Sequence, residues 1–281
     1  YPCVVEHGFI QGIATFTEAQ ALSQAAQRAG KTAVIHLKID TGMRRLGFRV
    51  QDIPELVRAA QLPNLQAEGI YTHFADADHE DLSFAWRQLR IFNEVVEQLA
   101  GEGIQIRIRH TASSAAILRL PEAHFELARP GIMLYGYPPG VEDPAADGFE
   151  PVLSWRTKIS QVKMIAAGDS GSYGRTFRAA YPTRVATIPV GYADGLRRAL
   201  SNRAEVLVRG ERAALIGRVC MDYTMLDVTK WPDLQPGETV TLLGADGASR
   251  VDAWDMAREL ETISYEVICG ISKRVPRIVI K

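Results

Sequence analysis

Apolar and polar positions follow one another in two textures along this chain. From Gly12 to about Tyr137, short β-rich runs take turns with helical patterns. Apolar residues at every second position predict strands, and recurrence every three to four positions predicts helices. Strands are expected at Ile13–Phe16, Ala33–Ile39, EGIYTHF (68–74) within Leu65–Phe74, Ile104–His110 and Phe125–Arg129. Helices are expected at Glu18–Ala29 with Thr17 as N-cap, at Ile53–Leu62, at Leu82–Leu99, and over a short stretch from Ser113 to Leu118. Strands separated by helices at this spacing imply parallel βαβ units. A closed β/α barrel takes eight strands and typically ~250 residues. The doubly wound alternative lacks a Gly-rich phosphate fingerprint after its early strands. The expected fold class is α/β, either a (β/α)8 TIM-type barrel about three units short at its N-terminus or an open doubly wound sheet, followed by a mainly β domain.

The second texture begins beyond Pro138–Asp147, a Pro-, Asp- and Ala-rich boundary. There, β runs follow one another without helices: Ser154–Ile165, Arg184–Val190, Ala204–Val208, Ala213–Val219, Thr224–Val228 and Thr239–Leu243. A single helix is expected at Ala253–Leu260 and a last strand at Arg277–Ile280. Residues 1–148 thus form the barrel portion and 149–281 the β domain.

Composition narrows the partners. With 32 Lys+Arg against 33 Asp+Glu, the formal net charge of −1 provides no field to draw in nucleic acid or an anionic membrane. A small molecule is the better partner. No apolar run approaches the ~20 residues of a membrane span. Three widely spaced cysteines, Cys3, Cys220 and Cys269, make neither a disulfide framework nor a zinc pattern, and a cytoplasmic setting is expected.

Polar groups gather at the carboxyl ends of the expected barrel strands, where such folds hold their active sites: Lys38, His73, His110 and Arg129. Each has an ordinary alternative as a structural histidine or a surface charge. His73, Asp76, Asp78 and His79 lie close enough in sequence to suggest a metal-dependent hydrolase, but the neighbouring cations disfavour a divalent ion, and no metal is expected. Ser113-Ser114 before a helix, with Gly131 after Arg129-Pro130, offers hydroxyl and backbone N–H groups suited to a phosphate. In the β domain, SYGRTF (172–177), IPVGYADG (188–195) and GRVCMD (217–222) stand out.

These segments, with HLKIDTGMRRLGF (36–48), YTHFADAD (71–78), RHTASSAA (109–116), ELARPGIMLYG (126–136), ISYEVICGIS (263–272) and RVPR (274–277), resemble alanine racemase, a fold-type III enzyme using pyridoxal phosphate. The resemblance implies a (β/α)8 barrel followed by a β domain, and interconversion of L- and D-alanine by two bases in a homodimer with shared active sites. Tyr173 matches one catalytic base, acting on the partner subunit's cofactor, and His73 the histidine that contacts it. Arg129 matches the arginine that donates to the pyridine nitrogen, and His110 its support. Ser114, Gly131, Ile132 and Tyr265 match phosphate ligands. Arg45 matches an arginine near the cofactor and the substrate carboxylate, and Lys38 a lysine carbamylated in many relatives. Tyr192 and Met221 match substrate-end residues from the partner.

Two departures stand against the pattern. Ser113 replaces an asparagine, a mild change, and no motif resembling VVKANAYGHG is present to supply the cofactor-binding lysine, the second base. The chain also opens Tyr1-Pro2-Cys3, without methionine. The lysine is expected outside this sequence, either on a second chain supplying the missing barrel strands or on a segment cleaved or left out. The alternative is a non-catalytic cofactor-binding or scaffold fragment.

Overall fold

Residues 1–140 and 148–280 are described by the computed structural model. The chain divides into two units, Tyr1–Phe149 and Glu150–Lys281. In the first unit the order is α1 (Pro2–His7), β1 (Gln11–Ile13), α2 (Phe16–Arg28), β2 (Ala33–Asp40), β3 (Phe48–Arg49), α3 (Ile53–Ala60), β4 (Leu65–Tyr71), α4 (Ser83–Gly101), β5 (Ile108–His110) and α5 (Ser114–Arg119). The strands form a parallel sheet in the order β1-β2-β4-β5, with β3 beside β2. On β2, Ile35, Leu37 and Ile39 are buried in a core shared with Leu22 of α2, Leu56 of α3 and Phe92 and Leu99 of α4. Strand alternation turns His36, Lys38 and Asp40 to the opposite face. One face of β2 thus anchors the helices and the other carries polar chemistry.

Several boundaries differ from the sequence expectation. The N-cap of α2 is Thr15, not Thr17: its Oγ1 accepts from the Glu18 N–H, while the Glu18 carboxylate accepts from the Thr15 N–H. The reciprocal pair satisfies two otherwise orphaned donors, so helix entry is settled there. The first strand lies at Gln11–Ile13 rather than Ile13–Phe16. Ile104–His110 is a strand only over its last three residues, where β4 pairs with it. Phe125–Arg129 is not a strand: Phe125 has φ 48°, incompatible with extended backbone, and pairing shrinks to one bridge, Ser113 with Arg129. The fifth sheet member is instead the two-residue β3, too short to show alternation.

The second unit contains β6 (Trp155–Lys158), β7 (Gln161–Ile165), β8 (Ser170–Gly171), β9 (Phe177–Arg178), β10 (Thr183–Ile188), β11 (Glu205–Val208), β12 (Glu211–Ile216), β13 (Thr224–Asp227), β14 (Thr239–Asp246), β15 (Ser249–Val251), α6 (Ala253–Leu260) and α7 (Ser264–Gly270). An antiparallel eight-stranded sheet runs β15-β14-β11-β12-β13-β10-β7, with β6 beside β14. The run expected over Ser154–Ile165 is two strands at opposite places in this sheet. Arg277–Ile280 is not a strand. Among the described residues this apolar run pairs with no strand, Ile278, Val279 and Ile280 are exposed, and Arg277 donates back to the carbonyls of Ile271, Ser272 and Val275. Of the boundary stretch Pro138–Asp147, residues 141–147 lie outside the described residues.

Candidate functional site

In the first unit, polar side chains converge at the carboxyl ends of β2, β4 and β5. Arg129, bridged to Ser113, points its side chain back into this end. Its Nη1 donates to His110 Nδ1 at 2.8 Å and to the His110 carbonyl at 2.7 Å; Nη2 donates to the carbonyls of Thr72 at 2.9 Å and Thr111 at 3.2 Å. These bonds fix the guanidinium plane through Nη1 and Nη2, and Nε is bonded to no described residue. The Tyr71 ring stacks on the His110 ring with centroids 4.7 Å apart, and the Arg129 guanidinium stands 5.6 Å from the same tyrosine ring.

Burial first, then the charge of Arg129, then His36, pushes the His110 imidazolium down to about 3. The folded protein therefore holds a neutral ring where an unfolded chain is already protonated. Because the unfolded state binds the additional proton, this group makes stability fall on acidification from pH 6.5 towards about 3, at ~1.4 kcal/mol per pH unit. Urea titrations at stepped pH check this. His110→Asn should flatten the decline across that window; an equally steep decline in the variant removes His110 as its source.

Lys38 and His73 share the same electrostatic neighbourhood. Burial, Arg45 and Arg129 lower the Lys38 ammonium, with Asp40 opposing. Burial, Arg129, Arg45 and Lys38 lower the His73 imidazolium. The loops that follow β2 and β4 are tied together by Gln88, fully buried on α4. It donates to Thr41 Oγ1 and to the His73 carbonyl, and accepts from Ala75 N–H. Thr41 and Thr72 join hydroxyls at 2.8 Å, and Thr72 donates to the Ile39 carbonyl. His73 is thus held at a cation-rich end. Asp78 and His79 are exposed, and among the described residues no group of three or more His, Cys, Asp or Glu is arranged to hold a metal ion.

Beside Arg129, the buried Ser114 Oγ accepts from Gly131 N–H at 2.8 Å and Met133 N–H at 3.4 Å. A Cβ at Gly131 would meet only that hydroxyl, at 3.6 Å. Ser114, Gly131 and buried Ile132 therefore form a small cradle beside Arg129, in which the Gly131 N–H is bonded to the Ser114 hydroxyl oxygen.

The second unit gathers its own segments around Gly217–Asp222. Ser172, at φ 69°, donates from Oγ to the Arg218 carbonyl and accepts from Arg218 N–H, anchoring the turn that holds Tyr173. Gly217 makes room for this anchor, since a Cβ there would lie 2.3 Å from Ser172 Cβ. Tyr192 and Ala193 donate their N–H groups to the carbonyls of Cys220 and Met221. A Cβ at Gly191 would lie 2.3 Å from both carbonyl oxygens, so glycine permits the approach. Arg274 pairs with Asp222 at 2.8 Å and with Asp194 at 3.4 Å. The Tyr173 side chain is 70% exposed; Tyr192, Met221 and Tyr265 on α7 are exposed too.

The first unit therefore brings together Lys38, His73, His110 and Arg129, with Arg45 near in charge and Ser114, Gly131 and Ile132 adjoining Arg129. The second unit brings Tyr173, Tyr192 and Met221 onto one scaffold. Tyr71, Gln88 and His36 were not singled out from the sequence. His36 and Lys38 lie two apart on one strand, a same-face signal that was present; Gln88 reaches the rim from a helix and left no local signal.

The family model for the alanine racemase N-terminal domain matches residues 1–139, and that for the alanine racemase C-terminal domain matches residues 152–279. The alanine racemase of Carboxydothermus hydrogenoformans is 46% identical over 261 residues, covering 92% of this chain and 71% of the relative. That of Desulfosudis oleivorans is 42% identical, covering 98% and 73%. The solved alanine racemase of Streptomyces lavendulae superposes with a TM-score of 0.93 at 34% identity, covering 100% of this chain and 75% of that one. With both domain models matched in order, and barrel-type parallel strands followed by an antiparallel β domain, this chain belongs to the alanine racemase family.

Proposed function

We propose that this protein interconverts L- and D-alanine with pyridoxal phosphate. The observation that carries the reading is the Arg129 guanidinium, fixed by four hydrogen bonds through Nη1 and Nη2 with Nε outside that set. Family membership supports the cofactor, and the residues present suit it: a guanidinium N–H for a pyridine nitrogen, and the Ser114–Gly131–Ile132 cradle for a phosphate. Tyr265 joins as a further phosphate ligand in this proposal. When bound, pyridoxal phosphate supplies an electron-withdrawing ring that acidifies the substrate Cα–H.

The chain's own residues then divide the work. Arg129 keeps its proton, so it can only donate to the pyridine nitrogen and leaves that nitrogen unprotonated. Charge withdrawal is thereby tempered, which favours returning a proton to Cα over side reactions. Tyr173 carries a proton to or from Cα through its hydroxyl, and His73 contacts that tyrosine. The opposite face is served by a lysine expected outside this sequence. Arg45, oriented by a carbamylated Lys38, holds the substrate carboxylate, with Tyr192 and Met221 bounding the substrate end. Because Tyr173, Tyr192, Tyr265 and Met221 are exposed on the second unit, we assign the working form as a homodimer with shared sites. Among the described residues no helix is long and apolar enough to cross a membrane.

The test is spectroscopic and enzymatic. The purified full-length protein should show a visible cofactor band that borohydride bleaches, and should convert either alanine enantiomer into the other. Added pyridoxal phosphate that leaves no band, together with no conversion in either direction, overturns the reading.

A further inference from the structure

We propose that His36, whose far side faces Glu68, is a positioning residue that fixes the hydrogen pattern of His110 and thereby the way Arg129 is presented. Its kinetic consequence rests on the functional reading above; its hydrogen-bond logic does not.

The logic starts from donor counts. A guanidinium has only donors, so His110 Nδ1, 2.8 Å from Arg129 Nη1, must accept. A neutral imidazole then carries its hydrogen on Nε2. That atom lies 2.7 Å from His36 Nδ1, so His110 donates and His36 Nδ1 accepts. His36 in turn carries its hydrogen on Nε2, which faces Glu68 Oε2 at 3.6 Å. No described group approaches this buried nitrogen within hydrogen-bonding distance. Every hydrogen in the series Arg129–His110–His36 thus points away from the rim and towards Glu68. The reverse arrangement would leave His110 with two bare nitrogens, an imidazolate.

Two backbone features accommodate this series. Gly69 lies opposite His36 in the register, and a Cβ there would stand 2.7 Å from three atoms of the His36 ring, so only glycine admits the imidazole. Between β2 and β4 the register shifts: Ile35 pairs with Ala67 but His36 pairs with Gly69, which makes Glu68 an extra residue. Bulges re-aim side chains beside functional sites. The Glu68 carboxylate is held on its other side by Arg107, whose hydrogen bond lowers the Glu68 carboxyl below its ordinary range. It remains an anionic acceptor at neutral pH, stationed at the end of the series. Lys38 and Asp40 share β2 with His36 but follow it towards the rim, and neither is hydrogen-bonded to these rings.

The experiment is histidine-ring 15N NMR on the purified full-length protein, with and without pyridoxal phosphate, combined with alanine kinetics. The unsubstituted protein should show both His110 and His36 as single Nε2–H tautomers in both samples. His36→Leu removes the acceptor: His110 should become a mixture of tautomers, and kcat should fall about 10–100-fold while KM for alanine stays within about twofold. His36→Asn places an amide oxygen near the former Nδ1 and should restore the single His110 tautomer and most of kcat. Glu68→Leu should broaden or shift the His36 ring signals; unchanged signals remove Glu68 from the series. An Nδ1–H tautomer at His36, or an unaltered His110 and kcat in His36→Leu, overturns the proposal. Absence of racemisation in the unsubstituted protein would instead overturn the functional reading, with the tautomer result still decisive here.

Discussion

Tyr173→Phe is expected to lower alanine turnover by about 10²–10⁴-fold, the range that a positioned acid–base group contributes, while cofactor absorbance is retained. The substitution removes one hydroxyl from a side chain that is 70% exposed. The turn beneath it is anchored by Ser172 and Arg218, so its shape does not depend on the phenol. No core contact is lost, and stability should stay within about 0.5 kcal/mol of the parent. With the phenol proposed to serve one face of Cα, the loss should be visible in solvent hydrogen exchange beginning from at least one enantiomer. Initial rates from L- and D-alanine, measured beside the visible spectrum, check this. Unchanged rates in both directions would remove Tyr173 from proton transfer.

Arg129→Met is expected to damage both fold and activity. The arginine answers three carbonyls, those of Thr72, His110 and Thr111, together with His110 Nδ1. A methionine fills similar volume but donates nothing, and acceptors left without partners cost about 1–3 kcal/mol. Turnover should fall by at least about 100-fold, the scale on which an oriented donor at a reacting centre acts. Arg129→Lys should not rescue it. An ammonium on a flexible stem cannot reproduce the planar fork that meets His110 and the Thr72 carbonyl together. Denaturant midpoints and alanine kinetics on both variants check the two effects. Near-parent turnover in Arg129→Lys would show that charge alone suffices and that the planar geometry is dispensable.

Much of the architecture was readable from periodicity. The long β2 and the 19-residue α4 emerged close to their observed limits because each buries one continuous apolar face. Errors fell where an element is defined by its neighbours. Phe125–Arg129 alternates like a strand, but the positive φ at Phe125 breaks it. Arg277–Ile280 has a strand-like apolar run, but no strand among the described residues receives it. β3 and α1 are too short to register above the background of the pattern.

The same division holds at the candidate site. Arg129, His110, His73 and Lys38 were found because chemistry-bearing residues at strand ends converge in a parallel β/α fold. Tyr173 was named only through resemblance, since a tyrosine between serine and glycine carries no local signature. By itself, the sequence determined the order of strands and helices, the two textures and the family, because these depend on side-chain pattern along one chain. Tertiary structure alone decided that Gly69 opens room for His36, that a register shift turns Glu68 towards it, and that Arg129 faces neutral acceptors. Those outcomes depend on distances between strands far apart in sequence, and a one-dimensional pattern does not contain them.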